Sequence, residues 1–155
     1  MSTMKYLTFG LGNEEFAIQA THLREIMGIQ EINALPQTPG YLKGVLNLRG
    51  RVVPVVDLRM KLDLPEKEYT ERTCVIVAQI ENQIGKFMIG IIVDGVSEVL
   101  TLEASEIEDT PDFGNGAEAP YILGMAKIKN KVKILLELNR VFTTREVQCL
   151  ESVME

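Results

Sequence analysis

Gly44-Val45-Leu46-Asn47-Leu48-Arg49-Gly50-Arg51-Val52-Val53-Pro54-Val55-Val56-Asp57-Leu58 places two apolar arms on either side of Arg49-Gly50-Arg51. Valine and leucine in such arms suit the pleated, half-buried surface of a strand. A glycine at the reversal permits the positive φ that a tight turn needs. The stretch predicts a β-hairpin. Pro54 cannot donate a ladder hydrogen bond, so the second arm is expected along a sheet edge or at a bulge. An edge is also a place where another protein can dock.

Working upstream, Lys5-Tyr6-Leu7-Thr8-Phe9 alternates polar and apolar residues, and Gly12-Asn13-Glu14 turns the chain into Phe16-Ala17-Ile18; this predicts an opening hairpin. Thr21 is a candidate N-cap for a short helix carrying Leu23, Ile26 and Met27 on one face and closed by Gly28. Ile29 to Leu35 is strand-like, and Pro36 to Gly40 stops regular structure. Downstream, Asp57 is placed to cap a short helix over Leu58 to Leu62. The polar run from Pro65 to Arg72 reads as a mobile loop. Thr73 to Ile80 and Lys86 to Val93 predict another hairpin, and Val96 to Leu102 a further strand. Glu103, Glu106, Glu108 and Asp109 open an acidic loop that ends in Pro111 and Gly114-Asn115-Gly116. Tyr121 to Ile128 and Val132 to Leu136 flank a turn at Asn130-Lys131. Thr143 and Glu146 form a capping box for a last helix with Val147, Leu150 and Met154 at helical spacing. Many short strands separated by turns favour small barrels over an open parallel sheet.

The chain of 155 residues is long enough to bury a substantial core, and its net charge is −6. That field repels a phosphate backbone, so nucleic acid is not an expected partner. Cys74 and Cys149 lack any partner spacing and read as two buried or half-buried thiols of a reducing compartment. No apolar window approaches a membrane-spanning length, so a soluble, cytoplasmic protein without direct membrane insertion is expected. HExxH, CxxC, EF-hand and GxxxxGK patterns are absent, which leaves metal and nucleotide chemistry without a motif. The single histidine, His22, has no recognisable nucleophile, and Asp57 reads as a cap.

The whole run Lys43 to Arg59 resembles the signature of the CheW family of bacterial chemotaxis coupling proteins. Phe16-Ala17-Ile18 followed by Leu23-Arg24-Glu25-Ile26, the Pro36 to Gly40 turn, Gly90 to Val99 and Ile134 to Asn139 support it. The resemblance spans residues 3–145, leaves residues 146–155 as a C-terminal helix or tail, and leaves no length for a kinase, receiver or membrane module.

This resemblance implies an all-β fold with short helices. Two five-stranded SH3-like β-barrels, roughly one from each half of the chain, would pack on a shared hydrophobic core. It implies a non-enzymatic adaptor without cofactor that couples methyl-accepting chemoreceptors to the histidine kinase CheA and helps assemble receptor arrays at the membrane. By similarity, Leu23, Ile26, Val96 and Val99 would line a receptor groove, with Glu25 and Arg49 as polar partners near it. Val45, Pro54 and Val56 would lie at the contact with the kinase regulatory domain. Two alternatives are a coupling protein of a non-flagellar chemosensory pathway, and a small-barrel enzyme or ligand-binding domain using Asp57 or His22.

Overall fold

The computed structural model describes residues 3–29, 32–34, 40–65, 68–83, 85–108 and 121–153. Its strands are β1 (Thr3–Leu11), β2 (Glu14–Gln19), β3 (Leu23–Gly28), β4 (Leu42–Leu48), β5 (Arg51–Asp57), β6 (Cys74–Glu81), β7 (Lys86–Val93), β8 (Gly95–Glu103), β9 (Ile107–Glu108), β10 (Ile122–Ile128) and β11 (Lys131–Leu136). Three helices accompany them: α1 (Leu58–Lys61), α2 (Leu138–Val141) and α3 (Thr144–Val153).

The hairpin expected at residues 44–58 is β4–β5. Arg49 and Gly50 sit at φ 51° and 86°, the paired left-handed residues of a turn whose twist matches the flanking strands. The Asn47 side chain accepts from the Gly50 N–H at 2.8 Å and closes it. Pro54 is not on an outer strand, because β5 lies between β4 and β7. Pairing to β7 covers only Val55 to Asp57, however, so the proline stands one residue before that ladder begins and no donor is missed.

Two curled sheets result, one in the order β3-β6-β7-β5-β4 and the other β8-β1-β2-β11-β10-β9. Both have the SH3-like barrel architecture, but two details of the expectation change. The second barrel carries a sixth strand, the two-residue β9. The halves of the chain also interleave: β1 and β2 join β8 to β11, and β6 and β7 join β3 to β5. Each exchange ends in a parallel seam, β5 on β7 and β2 on β11. One large apolar cluster spans both sheets and all three helices, from Leu7 and Phe9 through Val56 and Ile91 to Leu138 and Leu150. Each barrel keeps a smaller cluster of its own.

The interleaving follows an internal repeat. Tyr41 and Tyr121 each accept, through the backbone carbonyl, a 2.7 Å bond from the N–H of Asp57 and Glu137 respectively. Asp57 and Glu137 each cap the next short helix, accepting from the N–H two residues on, Arg59 at 3.0 Å and Asn139 at 3.2 Å. Bulges fall at Leu42/Gly44 and at Ile122/Gly124. The turn Arg49-Gly50 has its counterpart at Lys129-Asn130, with φ 51° and 67°; this is one residue earlier than the Asn130-Lys131 turn expected. Every pair is separated by the same step, 41 to 121 and 57 to 137 alike.

The helix expected over residues 21–28 is instead a strand. Only Ala20–His22 makes a 3-10 turn, and Leu23–Gly28 pairs antiparallel with β6. A helix of five or six residues cannot offset its own nucleation, whereas the edge of β6 offers ready backbone partners. The register shift between Leu23 and Glu25 explains the misleading period: Leu23 pairs with Ala78 and Ile26 with Ile76, so a three-residue step returns to the same sheet face.

The polar run before β6, where it is described, closes into a turn in which Thr73 accepts from the Thr70 N–H at 2.8 Å and Thr70 from the Arg72 N–H at 3.1 Å. Glu103 and Glu106 are not simple loop residues either. They form a capping box around the 3-10 turn Ala104–Glu106. The expected breaks at Pro36–Pro39 and Gly114–Gly116, together with Asp109 and Met154, lie outside the described residues. The last helix is capped as expected, with reciprocal Thr143 and Glu146 bonds of 2.9 and 3.1 Å, and it buries Val147 and Leu150. Cys74 is half-buried and its thiol is pushed up by burial, but Cys149 is exposed, contrary to expectation.

Candidate functional site

β3 and β8 each form one outer strand of their respective sheets, β4 and β9 being the others. From each, one apolar residue turns inward: Leu23 and Val96 both pack against the cluster shared by the two barrels. From each, another on the same sheet face is left uncovered: Ile26 is 45% exposed and Val99 54% exposed. Exposed large apolar side chains three residues from a core anchor, on strands without an outer neighbour, are candidates for a docking edge. The four apolar residues expected in a groove thus divide into two anchors and two open contacts.

Glu25 and Arg49 come together as expected. The guanidinium Nη2 lies 3.7 Å from Glu25 Oε2, bridging the β4–β5 turn to β3. Arg49 is 83% exposed in its side chain, so this pair adds about 0 to 1 kcal/mol to stability. A non-glycine residue held at φ 51° carries backbone strain, and such strain concentrates where a side chain is needed in place.

The three residues expected at the kinase contact are placed differently. Val56 is fully buried in the shared core and its side chain touches no solvent, so it is not a contact residue. Pro54 is buried and lines a narrow apolar cleft with Phe87, Met88, Val147 and Leu150. Val45 is half-buried, and its backbone edge is taken by Asn33 through bonds of 2.7 and 2.9 Å. Neither offers a free strand edge. The exposed apolar residue of this hairpin is Val52, 47% exposed, and its repeat counterpart Val132 is equally open at 48%. Alternation along β5 does not single out Val52, because every residue from Val53 to Asp57 is buried; what leaves it open is its place next to the turn, beside the exposed Arg51.

The residues that carry an enzymatic alternative are built into the frame. Asp57 caps α1 and accepts a 3.2 Å bond from the Tyr69 hydroxyl. Behind it, Arg59 is 2% exposed, with Nε 3.4 Å from Asp94 and 3.8 Å from Asp57, and its guanidinium stacks 5.6 Å from the Tyr69 ring. Asp94 also accepts from the Gly12 N–H at 2.7 Å. This buried ionic group ties α1, the β1–β2 turn and the β7–β8 junction together. Removing one member would strand a buried charge. His22 Nδ1 lies 2.9 Å from the Gln79 carbonyl, with Nε2 3.9 Å from Glu137; it too joins elements. Among the described residues no group of three or more His, Cys, Asp or Glu is placed to hold a metal, and no helix is long and apolar enough to cross a membrane.

The comparisons with known proteins agree with this architecture. Residues 5–146 match the family model described as CheW-like domain. Chemotaxis protein CheW of Klebsiella aerogenes is 36% identical over 149 residues, covering 96% of this chain and 87% of that protein. The Bacillus subtilis protein of the same name is 33% identical, with 93% and 90% covered. Among solved structures, that of the scaffolding protein TtCheW from Thermoanaerobacter tengcongensis superposes with a TM-score of 0.79 at 26% identity, over 94% of this chain and 96% of that one.

Proposed function

Since the chain belongs to the CheW-like domain family and is a scaffold protein of chemotaxis, we propose that it couples the cytoplasmic tip of methyl-accepting chemoreceptors to the regulatory domain of the histidine kinase CheA, without catalysing a reaction itself. The observation that carries this reading is the division of labour on the outer strands β3 and β8. Leu23 and Val96 anchor to the common core, which leaves Ile26 and Val99 displayed on a rigid frame. A helical receptor tip presents an apolar ridge that such residues fit, in the manner of a helix laid in a groove. Glu25 and Arg49 supply charge at the rim, where it serves specificity and association rate more than affinity.

The kinase contact is assigned to the outer side of the β4–β5 hairpin around Val45 and Pro54, with Val52 as its exposed apolar residue and without Val56. A protein that holds one partner at the strand edges and another on a hairpin joins them without moving parts. Recruitment to receptor arrays then follows from binding. Co-sedimentation tests the reading: the kinase regulatory domain should pellet with receptor-bearing membranes only when this protein is added. Pelleting of the kinase domain to the same extent without it, or no binding of this protein to either partner, would refute the assignment.

A further inference from the structure

The internal repeat continues through the strands that form the docking edges. Leu23, Glu25 and Ile26 recur as Val96, Glu98 and Val99 at a step seven residues shorter than that of the earlier pairs, 23 to 96 and 26 to 99. The pairings recur with them. Glu25 stands opposite Val77 inside the register shift of β3, where Leu23 meets Ala78 and Ile26 meets Ile76. On β8 the register shifts between Val96, which meets Phe9, and Val99, which meets Leu7, so Ser97 and Glu98 together face the single residue Thr8. Thr8 fixes Glu98 there: its hydroxyl donates to the Glu98 carbonyl at 3.0 Å and accepts from the Glu98 N–H at 3.0 Å, fully out of solvent. Arg49 recurs as Lys129, again the first residue of a left-handed turn and again exposed.

We infer that Glu98 on β8 and Lys129 on the β10–β11 turn are specificity-determining residues for the partner of the docking edges, the counterparts in the internal repeat of Glu25 and Arg49. This rests on the reading of those edges as the receptor contact. Two properties separate the halves. Glu25 is partly covered and lies against Arg49, whereas the Glu98 side chain is exposed beside the open Val99. A carboxylate held by a locked bulge next to an apolar contact suits a cationic side chain of the partner, and the ammonium of Lys129 suits an anionic one. The β8 edge therefore asks for an apolar ridge flanked by a basic residue that meets Glu98, and the β10–β11 turn for an acidic residue that meets Lys129. Such charges act by rejecting partners of the wrong sign as much as by attracting the right one.

The test uses the full chain and a purified cytoplasmic receptor fragment, with binding measured at low and at raised salt. Glu98→Lys and, separately, Lys129→Glu should each weaken binding about fivefold or more at low salt, with the deficit shrinking as salt is added. Glu98→Gln should lose less than Glu98→Lys. Glu68→Lys makes the same change in net charge as Glu98→Lys at an exposed position outside both strands, and it should bind within about twofold of the native protein. Thermal unfolding of all four should be unchanged, since neither Glu98 nor Lys129 is buried. If both reversals behave like Glu68→Lys while Val99→Asp abolishes binding, the edges are the receptor contact and these two residues are not part of it. If Val99→Asp is silent as well, the reading of the edges and this inference both fall.

Discussion

Arg49→Asn should separate stability from function. The native residue holds φ 51° at the first turn position, a conformation costing an L-residue about 1 kcal/mol unless it is asparagine or glycine. The substitution gives the turn an Asn-Gly pair, the sequence best suited to two left-handed residues in succession. Against that gain stands the loss of the Glu25 contact at 3.7 Å, worth about 0 to 1 kcal/mol for a guanidinium that is 83% exposed. The two terms leave a net effect between about zero and 1 kcal/mol of stabilisation. For a chain of this size each kcal/mol moves Tm by about 2–4 °C, so Tm should be unchanged or raised by up to about 4 °C. Binding should move the other way. A hydrogen bond to a charged group is worth about 1.5–3 kcal/mol, so losing it costs about tenfold or more in receptor affinity. Calorimetric unfolding and titration of a receptor fragment read the two effects separately. A fall in Tm of more than a few degrees would show that Arg49 is structural, and native affinity in a protein of undiminished Tm would show that it touches no partner.

Val56→Ala should cost about 2 kcal/mol in denaturant unfolding and leave intrinsic kinase affinity unchanged once the protein is folded, since the side chain is fully buried. Gly44→Ala should be costlier than its size suggests, about 2 kcal/mol or more, because the added Cβ would lie 2.2 Å from the Asn33 carbonyl oxygen and no flexible side chain stands there to yield. Burial alone would raise the Glu146 carboxyl, but the Thr143 N–H and the Lys61 ammonium, 3.1 Å away, outweigh it and hold the group below the usual carboxylate value. Its folded pKa is thus the lower one, so its contribution is present at neutral pH and is lost as pH falls through that depressed value. The stability deficit of Glu146→Gln, measured against the native protein, should accordingly be full at pH 7 and vanish in acid.

The hairpin at 44–58, the carboxylate cap on α1 and the capping box on α3 were legible because each is specified by residues close in sequence. β3 was not. Leu23-Arg24-Glu25-Ile26-Met27 contains good helix formers at helical spacing, and a bulge, which places residues three apart on one face, imitates that period. Tertiary pairing to β6 overrode local propensity. The exchange of strands between halves was hidden for a different reason: parallel seams join segments far apart in the chain, such as Leu135 on Ala17, and nothing local specifies them. A comparison of the chain with itself would have helped, since Tyr41-Leu42-Lys43-Gly44 recurs as Tyr121-Ile122-Leu123-Gly124. The family resemblance grouped Val45, Pro54 and Val56 at one contact, while burial sorts them into a bridged residue, a cleft wall and a core side chain. Asp57 and Arg59, at the end of the signature run, turn out to belong to the buried ionic group that holds the frame.

The measurement that bears most directly on the coupling function is Val99→Asp, titrated separately with a receptor cytoplasmic fragment and with the kinase regulatory domain. Val99 is 54% exposed, so the fold tolerates the charge, while a desolvated carboxylate at the contact opposes an apolar ridge. Losing an interface anchor commonly costs about 2 kcal/mol or more, and receptor affinity should fall at least about tenfold while kinase affinity stays within about threefold. Loss of both partners from a protein that still unfolds cooperatively, or loss of the kinase alone, would contradict the assignment of these edges to the receptor.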